Sequence, residues 1–260
     1  MLQRVVVDPA NIQPPIVVLT SDQHHYLSRV LRLKSGDRFI AMDGHGHSWL
    51  AILDESSTSE GFQAQIVEAI AAQTELPVAV TLVIALPKGN ALDEVVRQAT
   101  ELGVSCIAPI SSDRTLLNPS PKKLERWRRI VQEAAEQSER QQVPAILEPI
   151  SFTDHLQKVT QAAQPSCAHY LCVTRHSAPS LLSLLTSSHL QTPPSLVYIA
   201  IGPEGGWTET ELERAIAAGY QPVSLGARIL RAVTAPIVAL SLIGAVYEGG
   251  MVNPGQREAG

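Results

Sequence analysis

From Val78 onward, short apolar runs alternate with stretches of helical periodicity, and this alternation constrains the fold more than any other feature. The apolar runs predict strands near 79–86, 104–110, 145–149, 169–173, 196–201 and 221–225. Helices are predicted near 91–102, 121–141, 152–163, 178–186, 209–218 and 234–248. Continuously apolar strands separated by helices are typical of a mainly parallel sheet that helices cover. We therefore predict an α/β domain over residues 73–250, followed by a tail at 251–260.

The first 72 residues have a different pattern, with short β-prone runs and a single helix. The runs are Arg4–Val7, Ile16–Leu19, Arg38–Met42, Trp49–Leu53 and Phe62–Ile70. Asp43-Gly44-His45-Gly46 stands between two of them and predicts a hairpin. A helix is predicted after a cap at Thr20 or Ser21. Residues 1–72 are expected to form a separate β-rich domain, and polar residues from Gln73 to Pro77 a linker.

Composition excludes several classes of protein. The chain has 260 residues, of which 45% are hydrophobic and 17% charged, as in globular proteins with a core. Its net charge of −5 argues against binding nucleic acid through bulk charge. The apolar stretches at 196–201 and 237–246 are shorter than the roughly 18–20 residues that span a bilayer, and no signal-like segment opens the chain. A cytoplasmic protein without membrane contact is expected.

No metal site is expected from the residues that usually bind metals. The three cysteines lack zinc-site spacing, which predicts reduced and mostly buried thiols. Four histidines occur in the first 50 residues: His24, His25, His45 and His47. No cysteine or carboxylate accompanies them at ligand spacing, so we interpret them as surface residues.

The sharpest local signal is the segment 199–211, in which an apolar strand enters a turn with three glycines and a proline. A helix follows, with Thr208 and Glu211 in the pattern of a capping box. Ligands of open α/β sheets bind at such carboxyl ends of strands, and glycine lets them approach the backbone closely. The segment favours a ligand-binding loop over the alternative of a purely structural turn.

A second glycine-containing turn follows at 224–236, with two arginines and a Thr-Ala-Pro helix start. Arg228 and Arg231 lie between apolar elements, where a charge without a partner is unfavourable. They therefore indicate an anionic ligand, unless both are simply solvated.

Two basic sets indicate local contacts with RNA phosphates. Residues 114–129 carry six basic side chains and one acidic side chain, and Lys122, Arg126 and Arg129 share one helical face. The N-terminal set consists of Arg4, Arg29, Arg32, Lys34 and Arg38. A solvated helix face is the alternative for the first set. Walker, dinucleotide-binding, nucleophile-elbow and zincin motifs are all absent from the sequence.

At its two glycine loops the sequence resembles the 16S rRNA (uracil-N3)-methyltransferases, which belong to the SPOUT class. The family's I-G-P-E-G-G loop corresponds to Ile201–Gly206, and its L-G-x-R-I-L-R segment to Leu225–Arg231. Further matching segments are 101–104 with Pro109, 136–140 followed by Val143 and Pro144, and 25–32 with Gly36 and Asp37. The resemblance extends in order over nearly the whole chain.

The resemblance implies a PUA-like RNA-binding β-barrel domain followed by a SPOUT-type α/β domain with a deep trefoil knot. It implies a homodimer that uses S-adenosyl-L-methionine, called S-adenosylmethionine below, as its cofactor. The dimer would methylate N3 of a specific uridine in 16S rRNA within the 30S subunit. One departure is Arg231-Ala232-Val233-Thr234, where the family often has Arg-Thr-Glu-Thr. Because valine cannot accept a proton, an inactive RNA-binding module of the same fold stays open as an alternative. A second alternative is an α/β enzyme with another small ligand.

The resemblance also assigns site residues. The catalytic set is Arg231, Arg228 and Glu204. The cofactor-binding set is Leu86, Thr174, Ile201, Gly202, Pro203, Glu204, Gly205, Gly206, Leu225, Gly226, Ile229, Leu230, Thr234 and Ala235. The RNA-binding set is Arg4, Arg29, Arg32, Lys88, Lys122, Arg126, Arg129 and Arg140.

The final predicted helix is apolar on nearly all sides between Ala235 and Val246. Such a helix must be covered by its own domain or by a second copy of the chain. We expect the second copy, with Leu240 at the contact.

Overall fold

The computed structural model describes residues 2–58, 61–71, 74–115, 119–161, 166–191 and 193–249. The chain divides into two compact units: Met1–Glu75 with Gln132–Val143, and Leu76–Val131 with Pro144–Gly260. The predicted boundary between residues 72 and 73 and the predicted tail at 251–260 lie outside the described residues.

The first unit is built on a six-stranded sheet. Its strands are β1 (Arg4–Val6), β2 (Ile12–Gln13), β3 (Ile16–Leu19), β4 (Arg38–Met42), β5 (Ser48–Thr58) and β6 (Gly61–Ile70), in the spatial order β1-β4-β5-β6-β3-β2. β1 pairs with β4 in parallel, and the other neighbours are antiparallel. The predicted hairpin is confirmed, since Met42 at the end of β4 lies opposite Ser48 at the start of β5.

Period-two alternation gives this sheet its core. Val17, Phe39 and Ala51 are fully buried, and they pack with Leu27 from the helical segment after β3. That segment comprises α1 (Ser21–His25) and a π-helical turn at 26–30. Thr20 caps α1 as predicted, in a reciprocal capping box with Gln23.

The second unit contains the predicted parallel sheet. Its strands are β7 (Ala79–Ala85), β8 (Cys106–Ser111), β9 (Ala145–Ile146), β10 (Ile150–Ser151), β11 (Cys167–Cys172), β12 (Leu196–Ile201) and β13 (Gln221–Val223). Its helices are α2 (Ala91–Glu101), α3 (Pro121–Gln137), α4 (Phe152–Gln161), α5 (Leu181–Gln191), α6 (Glu209–Ala217) and α7 (Thr234–Gly249), and α3 continues into the first unit from Gln132. The strand order is β10-β8-β7-β12-β11-β13, with β9 beside β8, and every pairing is parallel.

The central strands of this sheet are buried on both faces. Val80, Leu82, Val83 and Ile84 of β7 are all fully buried, which explains why that run shows no polar alternation. Because parallel strands share one direction, their carboxyl ends lie at a single edge of the sheet. The connections that follow β7, β8, β11, β12 and β13 therefore gather at that edge.

Helix α7 buries one face within its own unit, against α2, α5 and β12. Ala239, Leu240 and Ile243 on that face are fully buried. The expectation that Leu240 contacts a second copy is therefore wrong, because its side chain already belongs to the core. Outside that buried face, apolar side chains keep partial exposure at Ile237, Val238, Leu242 and Val246. No helix within the described residues combines the length and the apolar character needed to cross a bilayer.

Candidate active site

The connections at the carboxyl edge of the parallel sheet enclose a cavity of about 790 Å³. Five connections contribute to its wall. Those after β7 and β8 supply Pro87, Ala91 and Arg114. The ends of β11 and β12 and the segments that follow supply residues 172–176, 201–207, 209 and 212, and the segment after β13 supplies residues 225, 226, 228–233 and 235. This volume is within the range of small-molecule and cofactor sites. Both glycine loops singled out by the sequence face this one cavity.

Trp207 fixes the shape of the glycine loop between β12 and α6. Its indole Nε1 donates a hydrogen bond to the carbonyl of Cys172, 3.1 Å away, and its ring stacks on Phe152 with a centroid distance of 4.5 Å. A Cβ added to Gly202 would lie 3.0 Å from this indole, so a side chain there would require the ring or the loop to shift. Gly206 has φ of 71°, a left-handed conformation that glycine adopts without strain.

The neighbouring connections are tied to the same loop. Glu204 accepts a hydrogen bond from the backbone N–H of Lys88, with 3.1 Å between the two atoms. Arg114 donates a hydrogen bond from Nη1 to the carbonyl of Gly205. Glu211, the capping-box residue of α6, accepts from the N–H of Asp113 at 2.8 Å. The loops after β7, β8 and β12 thus form one connected wall, held together by side chains.

The second glycine loop places apolar and cationic groups side by side. Ile229 lines the cavity with 64% of its surface exposed, and Arg228 and Arg231 are exposed beside it. Among the described residues, no carboxylate lies within ion-pair distance of either arginine. This wall therefore suits a ligand with an apolar ring and an anionic or polarised part.

Sequence reasoning missed several residues of the wall. Arg114 and Arg175 add two cations, and His176 lies 3.8 Å from Glu209. Their position in the sequence was the available signal, since each lies in the connection that follows a predicted strand of a parallel sheet, and such connections gather at its carboxyl edge. Trp207 lies within the segment 199–211 but was not assigned a role.

Most of the predicted cofactor-binding residues line the cavity, with two exceptions. Leu86 is only 2% exposed, and its N–H donates to the carbonyl of Ile110 at 3.0 Å, so it extends the sheet instead. Thr234 begins α7 and donates its N–H to the carbonyl of Arg231 at 2.9 Å. Neither residue lies in the cavity wall, and a contact of either with the cofactor stays a prediction.

Some of the predicted RNA-binding residues form ion pairs within the chain, and others are exposed. Arg140 is 3% exposed and pairs with Glu75 at 2.5 Å, so the prediction of an RNA contact is wrong for this side chain. Arg4 pairs with Glu139 and Arg126 with Asp93, each at 2.8 Å, which partly neutralises both. Exposed side chains are found at Arg29, Arg32, Lys88, Lys122 and Arg129.

The cysteines of the second unit are not poised as nucleophiles. Cys106, Cys167 and Cys172 are free and partly buried. Burial raises the pKa of the Cys106 thiol to about 11 and shifts the pKa of Cys172 upward as well. Both groups are therefore thiols near neutral pH, and a thiolate has no part in the chemistry of this cavity.

Comparisons with known proteins agree with this geometry. A family model described as an RNA methyltransferase domain matches residues 74–244, and one described as an RNA methyltransferase PUA domain matches residues 19–67. The protein named ribosomal RNA small subunit methyltransferase E from Synechocystis sp. is 50% identical over 95% of this chain and 79% of its own length. The protein of the same name from Bacillus subtilis is 34% identical over 89% of this chain and 90% of its own.

A solved structure supports the same comparison. The ribosomal RNA small subunit methyltransferase E from Neisseria gonorrhoeae, bound to S-adenosyl methionine, superposes with a TM-score of 0.82 at 28% identity. The match covers 95% of this chain and 98% of that one. The sheet, its helices and the PUA domain are thus shared with a protein that binds S-adenosyl methionine.

Proposed function

The chain belongs to the ribosomal RNA small subunit methyltransferase E family, and from this premise we propose that its cavity methylates N3 of one uridine in 16S rRNA. The protein is an S-adenosylmethionine-dependent methyltransferase of small-subunit ribosomal RNA. One observation carries the proposal: both glycine loops and two arginines without a carboxylate partner among the described residues line the same cavity.

The wall fits S-adenosylmethionine, which has a flat adenosine and a charged amino-acid end. Ile229 presents its exposed apolar surface to the cavity, as an adenine ring requires. A Cβ at Gly205 would lie 3.1 Å from the side chain of Arg114, so at this position the loop offers its backbone groups to a ligand. We assign cofactor contacts to residues 201–206 and to Leu225, Gly226, Ile229 and Leu230, with Thr174 and Ala235 beside them.

The reaction requires stabilisation of an anion more than it requires a strong nucleophile. S-adenosylmethionine would supply a methyl group on a sulfonium: the N3–methyl bond would form as the methyl–sulfur bond breaks, and the electron pair of that bond would leave with the sulfur as a neutral thioether. The uracil N3–H loses its proton, so negative charge develops on N3 and on the two adjacent carbonyl oxygens. Arg231 and Arg228 are assigned to stabilise that charge, because both residues line the cavity and neither has a carboxylate partner among the described residues.

Glu204 is our candidate for the group that accepts the N3 proton. Val233 lines the cavity where the family often has glutamate, and valine accepts no proton. Glu204 is the exposed carboxylate of the glycine loop, and the N–H of Lys88 bonds one of its oxygens, Oε1. That hydrogen bond orients the Glu204 carboxylate, and the other carboxylate oxygen, Oε2, can receive a proton.

Helix α7 supports a homodimer. Outside its buried face it carries partly exposed apolar side chains at Ile237, Val238, Leu242 and Val246. A second copy that packs there would remove this apolar surface from water. Because α7 begins three residues after Arg231, the same contact would steady the catalytic arginine.

Three further features belong to the proposal. The connections around β13 and α7 are assigned the deep trefoil knot of the SPOUT class. The substrate is the 16S rRNA within the 30S subunit, contacted by exposed basic residues such as Arg29, Arg32, Lys122 and Arg129. The reaction takes place in the cytoplasm, where ribosomal subunits are found.

Calorimetry with S-adenosylmethionine tests the cofactor assignment. We expect one site per chain, and weaker binding when Ile229 is replaced by Asp, which would place a carboxylate against the adenine. Arg97→Ala, an exposed helix residue outside the cavity wall, is the matched control. Absence of binding to the wild-type chain would refute the assignment.

A further inference from the structure

Arg175 is a cavity cation that the proposed chemistry does not use. Among the described residues, four arginines line the cavity. Arg114 donates to the carbonyl of Gly205, and Arg228 and Arg231 are assigned to the reacting base. Arg175 is exposed, and no described carboxylate lies within ion-pair distance of it. A cation placed in this way is available to an anion from outside the chain.

The backbone of Arg175 is unusual as well. Its φ is 63°, the left-handed conformation that brings Cβ of an L-residue close to the backbone. Arg32 has a similar φ of 59°, but it directly follows the helical segment that ends at Leu31, where left-handed residues commonly cap helices. The element directly before Arg175 is the strand β11, so its conformation does not cap a helix. Strained residues of this kind concentrate at ligand sites.

We propose that Arg175 binds a backbone phosphate of the rRNA strand beside the target uridine. The inference rests on the proposed function and adds a substrate contact to it. N3 lies on the base-pairing edge of uracil, so the target nucleotide must leave its pairing before it enters the cavity. A guanidinium forms paired hydrogen bonds with phosphate, and such a contact at the cavity wall would hold the strand while the base occupies the interior.

The chemistry separates this role from that of the other arginines. Arg228 and Arg231 act on charge that develops during the reaction, so their loss lowers kcat. A phosphate carries its charge before and after the reaction, so the loss of Arg175 weakens substrate binding and raises KM. A contact with phosphate is also sensitive to salt, because binding releases counterions from the RNA.

The test compares Arg175→Gly, Arg175→Ala and Arg175→Lys with the control Arg97→Ala. Methyl transfer to 30S subunits from cells that lack this enzyme is followed over a range of KCl at constant magnesium. We expect glycine and alanine to raise KM for the subunits about tenfold, with kcat within twofold. The slope of log KM against log salt should flatten by about 0.7, and lysine should keep most of that slope.

The glycine variant distinguishes a binding role from a structural one. Glycine adopts a φ of 63° without strain, so Arg175→Gly should melt at or above the temperature of Arg175→Ala. If the arginine were needed only to shape the loop, glycine would restore the wild-type KM.

Two results with the variants would overturn the inference about Arg175 and leave the proposed function intact. One is a wild-type KM and salt slope in Arg175→Gly. The other is weaker binding of S-adenosylmethionine by Arg175→Gly in the absence of RNA, which would mean that the arginine pairs with the cofactor's carboxylate. A wild-type enzyme that binds S-adenosylmethionine but methylates no 30S subunit would instead refute the proposed function, and the inference with it.

Discussion

Gly202 and Trp207 together determine the form of the first glycine loop. The indole is held by the Cys172 carbonyl and by Phe152, so a shift away from a side chain at position 202 would disturb both contacts. We predict that Gly202→Ala lowers stability by about 1–3 kcal/mol and weakens S-adenosylmethionine binding. Thermal melting and calorimetry measure both effects. Gly249→Ala, with no heavy atom within 4 Å of the added Cβ, is the control, and an unchanged Gly202→Ala protein would contradict this account.

Replacing Arg231 and replacing Arg114 should impair different steps, methyl transfer in the first case and cofactor binding in the second. Arg231 is assigned to charge that develops in the transition state, so Arg231→Ala should reduce single-turnover methyl transfer by about 10²–10³ while the cofactor still binds. Normal turnover in that variant would remove the assignment.

Arg114 holds the carbonyl of Gly205 and thereby the cofactor loop. Arg114→Ala should therefore weaken S-adenosylmethionine binding measured without RNA, with the melting temperature little changed because the side chain is exposed. An affinity equal to that of the control Arg97→Ala would show that the loop holds its shape without Arg114.

His155 makes the second unit sensitive to acid. Its Nε2 lies 2.8 Å from the hydroxyl of Tyr220, and burial, with lesser effects from His169 and Lys158, lowers its pKa to about 4. In the unfolded chain the pKa is near 6.5, so the unfolded state binds a proton first as pH falls. The contribution of His155 to the stability is therefore complete above pH 6.5, and about 3 kcal/mol of it is lost between pH 6.5 and pH 4. Denaturant titrations of the wild type and of His155→Gln check this, since the glutamine variant should lose less stability over that interval.

The elements show how far sequence patterns reach. Apolar periodicity predicted β3, β4 and β12 with their observed bounds. The predicted helix over 121–141 ends at Gln137 instead, because Glu139 takes a positive φ and Arg140 turns inward to Glu75. These two partners are far apart in the sequence, so no local pattern could reveal the contact.

Two other differences have local physical causes. The single strand predicted over 145–149 is divided into β9 and β10, since Pro149 between them has no N–H to donate to the neighbouring strand. The strand predicted over 221–225 ends at Val223, because the N–H of Ser224 bonds the carbonyl of Pro179 in the connection before α5. A predicted strand ends early where its backbone N–H bonds a loop carbonyl instead of a neighbouring strand.

Helix α7 allows its buried and its partly exposed side chains to be tested separately. Leu240 belongs to the core, so Leu240→Glu should prevent stable folding. Leu242 keeps partial exposure outside the buried face, so Leu242→Glu should leave the fold intact, lower the apparent mass in sedimentation to that of a monomer, and reduce methyl transfer. A folded Leu242→Glu protein that stays dimeric, or a monomer with full activity, would contradict the proposed role of α7.

Across the whole molecule, the sequence predicted correctly which loops form the cavity. It predicted less well which basic side chains remain outside ion pairs. The two glycine loops were identified from residue types alone, since glycine, proline and capping residues act locally. Ion pairs such as Arg4 with Glu139 and Arg140 with Glu75 join residues 135 and 65 positions apart, and these pairs decide which cations remain available to RNA. A chain with net charge −5 must bind RNA through the basic residues that such pairs leave exposed.

The central claim is that this chain methylates N3 of one uridine in 16S rRNA, with Arg231 as a catalytic residue. Mass spectrometry of 16S rRNA from cells that lack the protein tests it most directly, with complementation by the wild type, by Arg231→Ala and by the control Arg97→Ala. We predict that a single 3-methyluridine disappears in the deletion strain, returns with the wild type and with Arg97→Ala, and stays absent or strongly reduced with Arg231→Ala. An unchanged set of modified nucleosides in the deletion strain would contradict the account.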